Sequence, residues 1–191
     1  MRHQARFDLG THRSWQWERR SPTRPFVKRC SVPPIRVSVE RVVAAPPDIV
    51  YGILANYRDG HHQAILPPAF SDIEIVAGGV GAGTVVRFSL KLGGRTRRGE
   101  ARLDEPEPGR ILLETATEGD TQTRFVVEPA AEGCRVRIET ELRSSAGPAG
   151  IVERLLAPRL LAPLYADELA RLNRYARRLV AANQPAGPGI A

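Results

Sequence analysis

The stretch that decides the fold is TVVRFSLKLGGRTRRGEARL, residues 84–103. Apolar side chains recur there at every second position: Val86, Phe88, Leu90 and Leu92, with Arg87, Ser89 and Lys91 between them. Successive side chains of a strand point to opposite faces, so this is a strand with one buried and one wet face. Gly93-Gly94 is a hairpin-turn signal. The alternation then resumes, with Gly99, Ala101 and Leu103 on one face and Thr96, Arg98, Glu100 and Arg102 on the other. An antiparallel sheet built this way has one apolar face that another element must cover.

Working outward, the same period appears before and after this hairpin. Phe70, Ile73 and Ile75 open a strand, and Gly78–Gly83 is a flexible turn. Ile111–Thr117, Thr121–Glu128 and Cys134–Leu142 continue the meander. Upstream, Ile35, Val37 and Val39 alternate with Arg36, Ser38 and Glu40 in a strand over Ile35–Val43. A helix over Pro46–Ala55 follows, opened by prolines whose missing N–H costs nothing in a first turn. A second short helix is predicted over Tyr57–Ala64, stopped by Pro67-Pro68. Downstream, Leu161, Leu164, Tyr165, Leu169, Leu172, Ala176 and Leu179 share one face of a long helix over Ile151–Val180. Asp167, Glu168, Arg171, Arg174, Arg177 and Arg178 are read as the opposite face, and Pro158 and Pro163 predict a kink or break. The expected fold class is α+β: a curved antiparallel sheet wrapped on one long C-terminal helix, with a space between them.

The chain has 191 residues and a net charge of +7. Residues 1–33 hold eight of the basic residues and two of the acidic ones, so +6 of that charge sits at the start. The domain is then nearly neutral, which argues against a specific nucleic-acid partner. The organisation expected is a basic, disordered extension over 1–34, one domain over 35–182 and a loose tail over 183–191. Trp15 and Trp17 lie in the extension, which would make at most weak contact with acidic surfaces. An organellar transit peptide or a misplaced start are the other readings of that segment. Two cysteines imply no disulfide framework and suit a reducing cytoplasm. No apolar run approaches the roughly 20 residues that span a bilayer.

Few residues suggest chemistry. The run GGVGAGT, residues 78–84, lacks both phosphate-loop spacings and reads as a turn. His61 and His62 are adjacent, hence about 100° apart on a helix, and share no metal easily. They are either a surface pair or a cap on a cavity mouth that gives a hydrogen bond or proton to a ligand. No metal and no cofactor is expected. Arg97 shares the inward parity of Gly99, Ala101 and Leu103, and would face an anionic ligand group unless its strand frays first. Tyr165 is either core packing or a hydroxyl aimed at a ligand. Thr115 and Thr123 are read as inward-facing too, and Cys134 as a buried, inert thiol.

The phrases VVAAPPDIVYGILANYRD, GGVGAGTVVRFSL, EPEPGRILLET and LLAPRLLAPLYADELARLNRYA resemble the polyketide cyclase/dehydrase branch of the START-like (SRPBCC) superfamily. The resemblance covers about residues 35–180. It implies a helix-grip (Bet v 1-like) fold with a largely apolar cavity between sheet and C-terminal helix. Such a cavity would be lined by Val86, Phe88, Leu90, Phe125, Leu161, Tyr165 and Leu169. The function implied is binding of a small apolar or aromatic ligand: a lipid, polyketide or quinone-like molecule. Two alternatives stand beside it: a cyclase or aromatase that shapes a polyketide chain, and a non-catalytic interaction protein using its basic tail.

Overall fold

A computed structural model describes residues 33–59, 61–118, 121–145 and 147–183, with His61 described by its backbone alone. Apart from Pro33 and Pro34, the basic extension lies outside the described residues, as does the chain beyond Asn183. The elements run β1 (Ile35–Val43), α1 (Pro47–Ala55), α2 (His61–Ile65), β2 (Phe70–Ala77), β3 (Val85–Leu92) and β4 (Arg95–Glu107). They continue as β5 (Ile111–Ala116), β6 (Thr121–Ala130), β7 (Gly133–Leu142) and α3 (Pro148–Asn183). The seven strands form one curved antiparallel sheet in the order β1-β7-β6-β5-β4-β3-β2. From β2 to β7 each strand pairs with its neighbour in sequence, and the first strand closes the other edge by pairing with the last.

The register brings side chains of like parity into rows across the concave face. Val39, Ile138, Phe125 and Leu112 form one row. Val37, Thr140, Thr123, Glu114 and Leu103 form the next. The helix α3 lies over these rows, its Leu161, Leu164, Tyr165, Leu169 and Leu172 in one core with Leu54 and Ile65 from α1 and α2. Leu54, Ile65, Leu103, Leu112, Ile138, Leu169 and Leu172 are fully buried, each contributing roughly 1.5–3 kcal/mol by burial.

Two local expectations are corrected. The second helix does not begin at Tyr57. Asn56 bridges to Val80, and the backbone N–H groups of Tyr57 and Arg58 both donate to the Gly79 carbonyl, at 2.9 and 3.0 Å. The glycine turn thus holds residues 56–58 out of helical geometry, and α2 starts at His61. Gly79 sits at φ +124°, open to glycine but strained for other residues. In α3, Pro158 and Pro163 lie inside one continuous 36-residue helix, so the break is absent. Packing of Leu161, Leu164 and Tyr165 beside them holds the helix through the two missing N–H donors.

Candidate functional site

A polar cluster occupies the middle of this apolar interior. Glu114 and Thr123 are opposed on β5 and β6, and Thr123 and Thr140 on β6 and β7. From α3, Tyr165 and Glu168 stand three residues apart, which puts them on one helix face; both are buried. Tyr57 enters from the loop that the glycine turn clamps. The Thr123 and Thr140 hydroxyls are 2.9 Å apart, and Thr140 Oγ1 is 2.6 Å from Tyr165 Oη. Tyr57 Oη donates to Glu114 Oε1. Glu168, 3% exposed, keeps a buried Oε1 with no hydrogen-bond partner.

No lysine or arginine is among the described buried polar residues, so burial governs these carboxyls. It pushes Glu168 up to about 8, and the neighbouring charges of Glu114 and Asp167 add to the rise. Burial pushes Glu114 up to about 7, against the Tyr57 hydroxyl, which favours its charged form. Tyr57 is raised well above its ordinary value by burial and then by Glu114. Burial raises Tyr165 to about 12. Glu168 is therefore mostly a carboxylic acid at neutral pH. It has an O–H to offer an oxygen atom, at a side chain only 3% exposed.

His62 supports this cluster. Burial lowers it to about 4, so the ring is neutral. Its Nδ1 lies 2.9 Å from the Leu54 carbonyl; a carbonyl only accepts, so Nδ1 carries the proton and Nε2 the lone pair. The ring stacks on Tyr57 at 3.9 Å between centroids and meets Phe125 edge-on at 6.4 Å. It pins Tyr57 in place over Glu114.

The remaining candidates divide. Val86, Phe125, Leu161 and Leu169 are buried. Phe88 and Leu90 are on the concave face but only half-buried, as are Glu114 and Thr123. Gly99 faces Phe88, whose ring occupies the space of a Cβ at 2.9 Å. Arg97 keeps its inward register opposite Leu90 but is exposed at the rim, and it does not join the cluster. Thr115 is corrected: it pairs with Gln122 on the convex face. Leu113, of the same parity, lines a small convex-face pocket of about 130 Å³ with Gln122, Arg124, Glu139 and Glu141. The side chain of His61 is outside what is described. Glu168 is likewise corrected from the polar face of α3 to its buried face.

Four members of the cluster are not among the candidates read from the sequence: Tyr57, Glu114, Thr140 and Glu168. The signal for Glu168 was its spacing, since it lies four residues from both Leu164 and Leu172. Strand β5 carries apolar residues at Ile111, Leu112 and Leu113, so its parity is ambiguous in the sequence, and reading Thr115 as inward leaves Glu114 outward. Among the described residues no group of three or more His, Cys, Asp or Glu is placed to hold a metal ion, and no helix is long and apolar enough to cross a membrane.

Known structures share this architecture. The KanY protein, solved in solution, is 23% identical with a TM-score of 0.68, covering 76% of this chain and 99% of that one. The Zhui aromatase/cyclase from Streptomyces sp. R1128 is 21% identical with a TM-score of 0.62, covering 78% and 98%. Ara h 8.0201 is 18% identical with a TM-score of 0.53, covering 75% and 97%. At these identities the likeness is one of fold. None of the curated proteins matches this chain. Residues 34–177 match the family described as polyketide cyclase / dehydrase and lipid transport. With three quarters of its length inside that match, and the helix-grip architecture to go with it, the chain belongs to the polyketide cyclase/dehydrase family.

Proposed function

We propose that this protein binds a small, largely apolar or aromatic molecule between sheet and α3, and holds one of its oxygen atoms at Glu168. The observation that carries this reading is the buried Glu168 Oε1 without a partner. An unsatisfied buried polar atom costs roughly 1–3 kcal/mol, and a ligand oxygen would remove that cost. The apolar walls select a hydrophobic body, and the carboxyl and two phenols select an oxygenated edge. A hydroxyanthraquinone, flat and oxygenated, is a suitable probe. It is expected to bind the native chain, to bind Glu168→Gln with little loss, and to bind Glu168→Leu at least about 10-fold more weakly. Equal affinity for all three would remove Glu168 from the site.

A second reading is catalytic, and the protonated state of Glu168 favours it. In a ring-closing aldol step of a poly-ketone chain, an enol carbon attacks a ketone carbon and the ketone oxygen takes a proton. In this reading Glu168, raised to about 8, would donate that proton, and Glu114, raised to about 7, would accept the one the enol releases. Zhui and the di-domain ARO/CYC StfQ, named as aromatase/cyclases, share the fold. Cyclisation of a synthetic poly-ketone thioester, lost in Glu168→Gln while probe binding persists, separates this reading from simple binding.

A further inference from the structure

The outward face of α3 changes character along its length. In the first half Ile151, Val152, Leu155, Leu156 and Leu160 are 38% to 62% exposed. At about 100° per residue they occupy one arc, opposite the arc that packs on the sheet. A contiguous apolar patch of this kind is seldom left bare without a partner.

Charge says what the partner is. Leu160 reaches the β3–β4 turn, where a Cβ on Gly93 would stand 3.7 Å from its Cδ1. The exposed Arg95 and Arg97 of that hairpin, which share the face of Leu92 and Leu90, therefore border the apolar arc. Arg159 rises within it and folds its guanidinium back on the Leu155 carbonyl at 2.7 Å. Farther along the helix the exposed Arg174, Arg177 and Arg178 line a shallow concavity. The carboxylates nearby are already engaged: Glu153 by Ser145 N and Oγ at 2.8 and 2.9 Å, and Asp167 by Arg171 at 2.9 Å.

We propose that this face docks on an anionic lipid surface. The apolar arc enters the boundary of the acyl chains, and the hairpin and C-terminal arginines lie among the headgroups. A second copy fits poorly, because two such faces would set their cationic rims against each other. A single convex helix also lacks the enclosed pocket around which a protein interface concentrates its binding energy. This docking does not depend on what the interior binds.

The test is flotation of the full chain with phosphatidylcholine vesicles, with and without phosphatidylserine, across a salt series. Binding to the anionic vesicles is expected, weakening as salt rises. The double variant Leu155→Ser/Leu156→Ser keeps the net charge and is expected to bind at least about 10-fold more weakly. Arg95→Gln and Arg177→Gln are each expected to lower binding about 5-fold. Ile151→Ser/Val152→Ser gives a second apolar variant, and circular dichroism checks that each is folded. Three results would overturn the proposal. One is no binding to anionic vesicles at low salt. Another is undiminished binding by both serine variants, which would assign the attraction to the basic residues before position 33. The third is a dimer of the native chain that the serine variants abolish, which would show a second copy covering the face.

Discussion

Two neighbouring rows of the same sheet do opposite things. Leu112, Phe125 and Ile138 form a dry row, buried and apolar in one core with Leu169 and Leu172. Two residues along each strand, Glu114, Thr123 and Thr140 form a polar row under Tyr165 and Glu168. The rows are only about 7 Å apart. The first gains stability from every side chain it excludes from water. The second holds two carboxyls in a place where charge is costly, and that cost is only partly offset by hydrogen bonds. A fold that tolerates such a row beside a well-packed one has room for chemistry without losing its scaffold.

The largest expected effect comes from damaging the dry row. Ile138→Ala removes a fully buried side chain and leaves a cavity, and is expected to cost about 2–5 kcal/mol in urea denaturation. Probe binding should survive at temperatures where the variant is folded. If Ile138→Ala were neutral, the distinction between the rows would fail at its simplest point.

The next effect is a pH dependence that belongs to the polar row. Glu168 and Glu114 have folded values raised to about 8 and about 7 from an ordinary 4.5. Between the ordinary and folded values the folded chain binds more protons than the unfolded one, so stability falls as pH rises. The contribution is fully present below pH 4.5 and is lost through pH 7 to 8, at about 1.4 kcal/mol per pH unit for each group. His62 works the other way: its folded value is lowered to about 4, so it contributes stability that grows from pH 4 to 6.5. The steepest decline is therefore expected between pH 6.5 and 7, where both carboxyls act unopposed. Melting temperatures measured from pH 5 to 8.5 check this. In Glu168→Gln the slope near pH 7 to 8 should flatten; an unchanged slope would mean that Glu168 does not titrate there.

Tyr57→Phe sharpens the comparison further. It removes the hydroxyl that donates to Glu114 while leaving the ring stacked on His62. A loss of about 1.5–3 kcal/mol is expected above pH 7, where Glu114 is charged, and less at pH 5, where it is protonated. A loss independent of pH would show that the ring alone matters.

The dry row is legible in the sequence at Phe125 and Ile138 but not at Leu112, and the polar row only at Thr123 and Tyr165, for one physical reason. Period-2 alternation reports which face is apolar, so Val86, Phe88, Phe125, Val136 and Ile138 declared their side of the sheet. The same rule assigns a charged residue to water by default. It therefore lets Thr115 stand where Glu114 belongs, and the same default applied to the helical period puts Glu168 on the wet side of α3. Tyr57 was hidden differently: its position depends on a carbonyl of the glycine turn more than twenty residues away. Arg97 and Tyr165 were placed on the correct parity and differ only in depth, which periodicity does not encode.

That difference in depth sets the smallest expected effect. Arg97 is exposed, and Glu153, an acid that feels its charge, is held low chiefly by the Ser145 N–H and hydroxyl, with Arg97 the least of its influences. Arg97→Ala should therefore change stability by no more than about 0.5 kcal/mol. Its value lies in locating the ligand. A neutral hydroxyanthraquinone carries no anionic group for the guanidinium, and its affinity should be unchanged. A carboxylated analogue whose acid group extends to the mouth would meet the guanidinium, and there Arg97→Ala is expected to cost about 1.5–3 kcal/mol of binding. Titration of both probes against both proteins by calorimetry gives four affinities. A loss confined to the carboxylated probe places the polar row at the floor of the site and Arg97 at its entrance. An equal loss for both would mean that Arg97 orders the hairpin rather than touching the ligand.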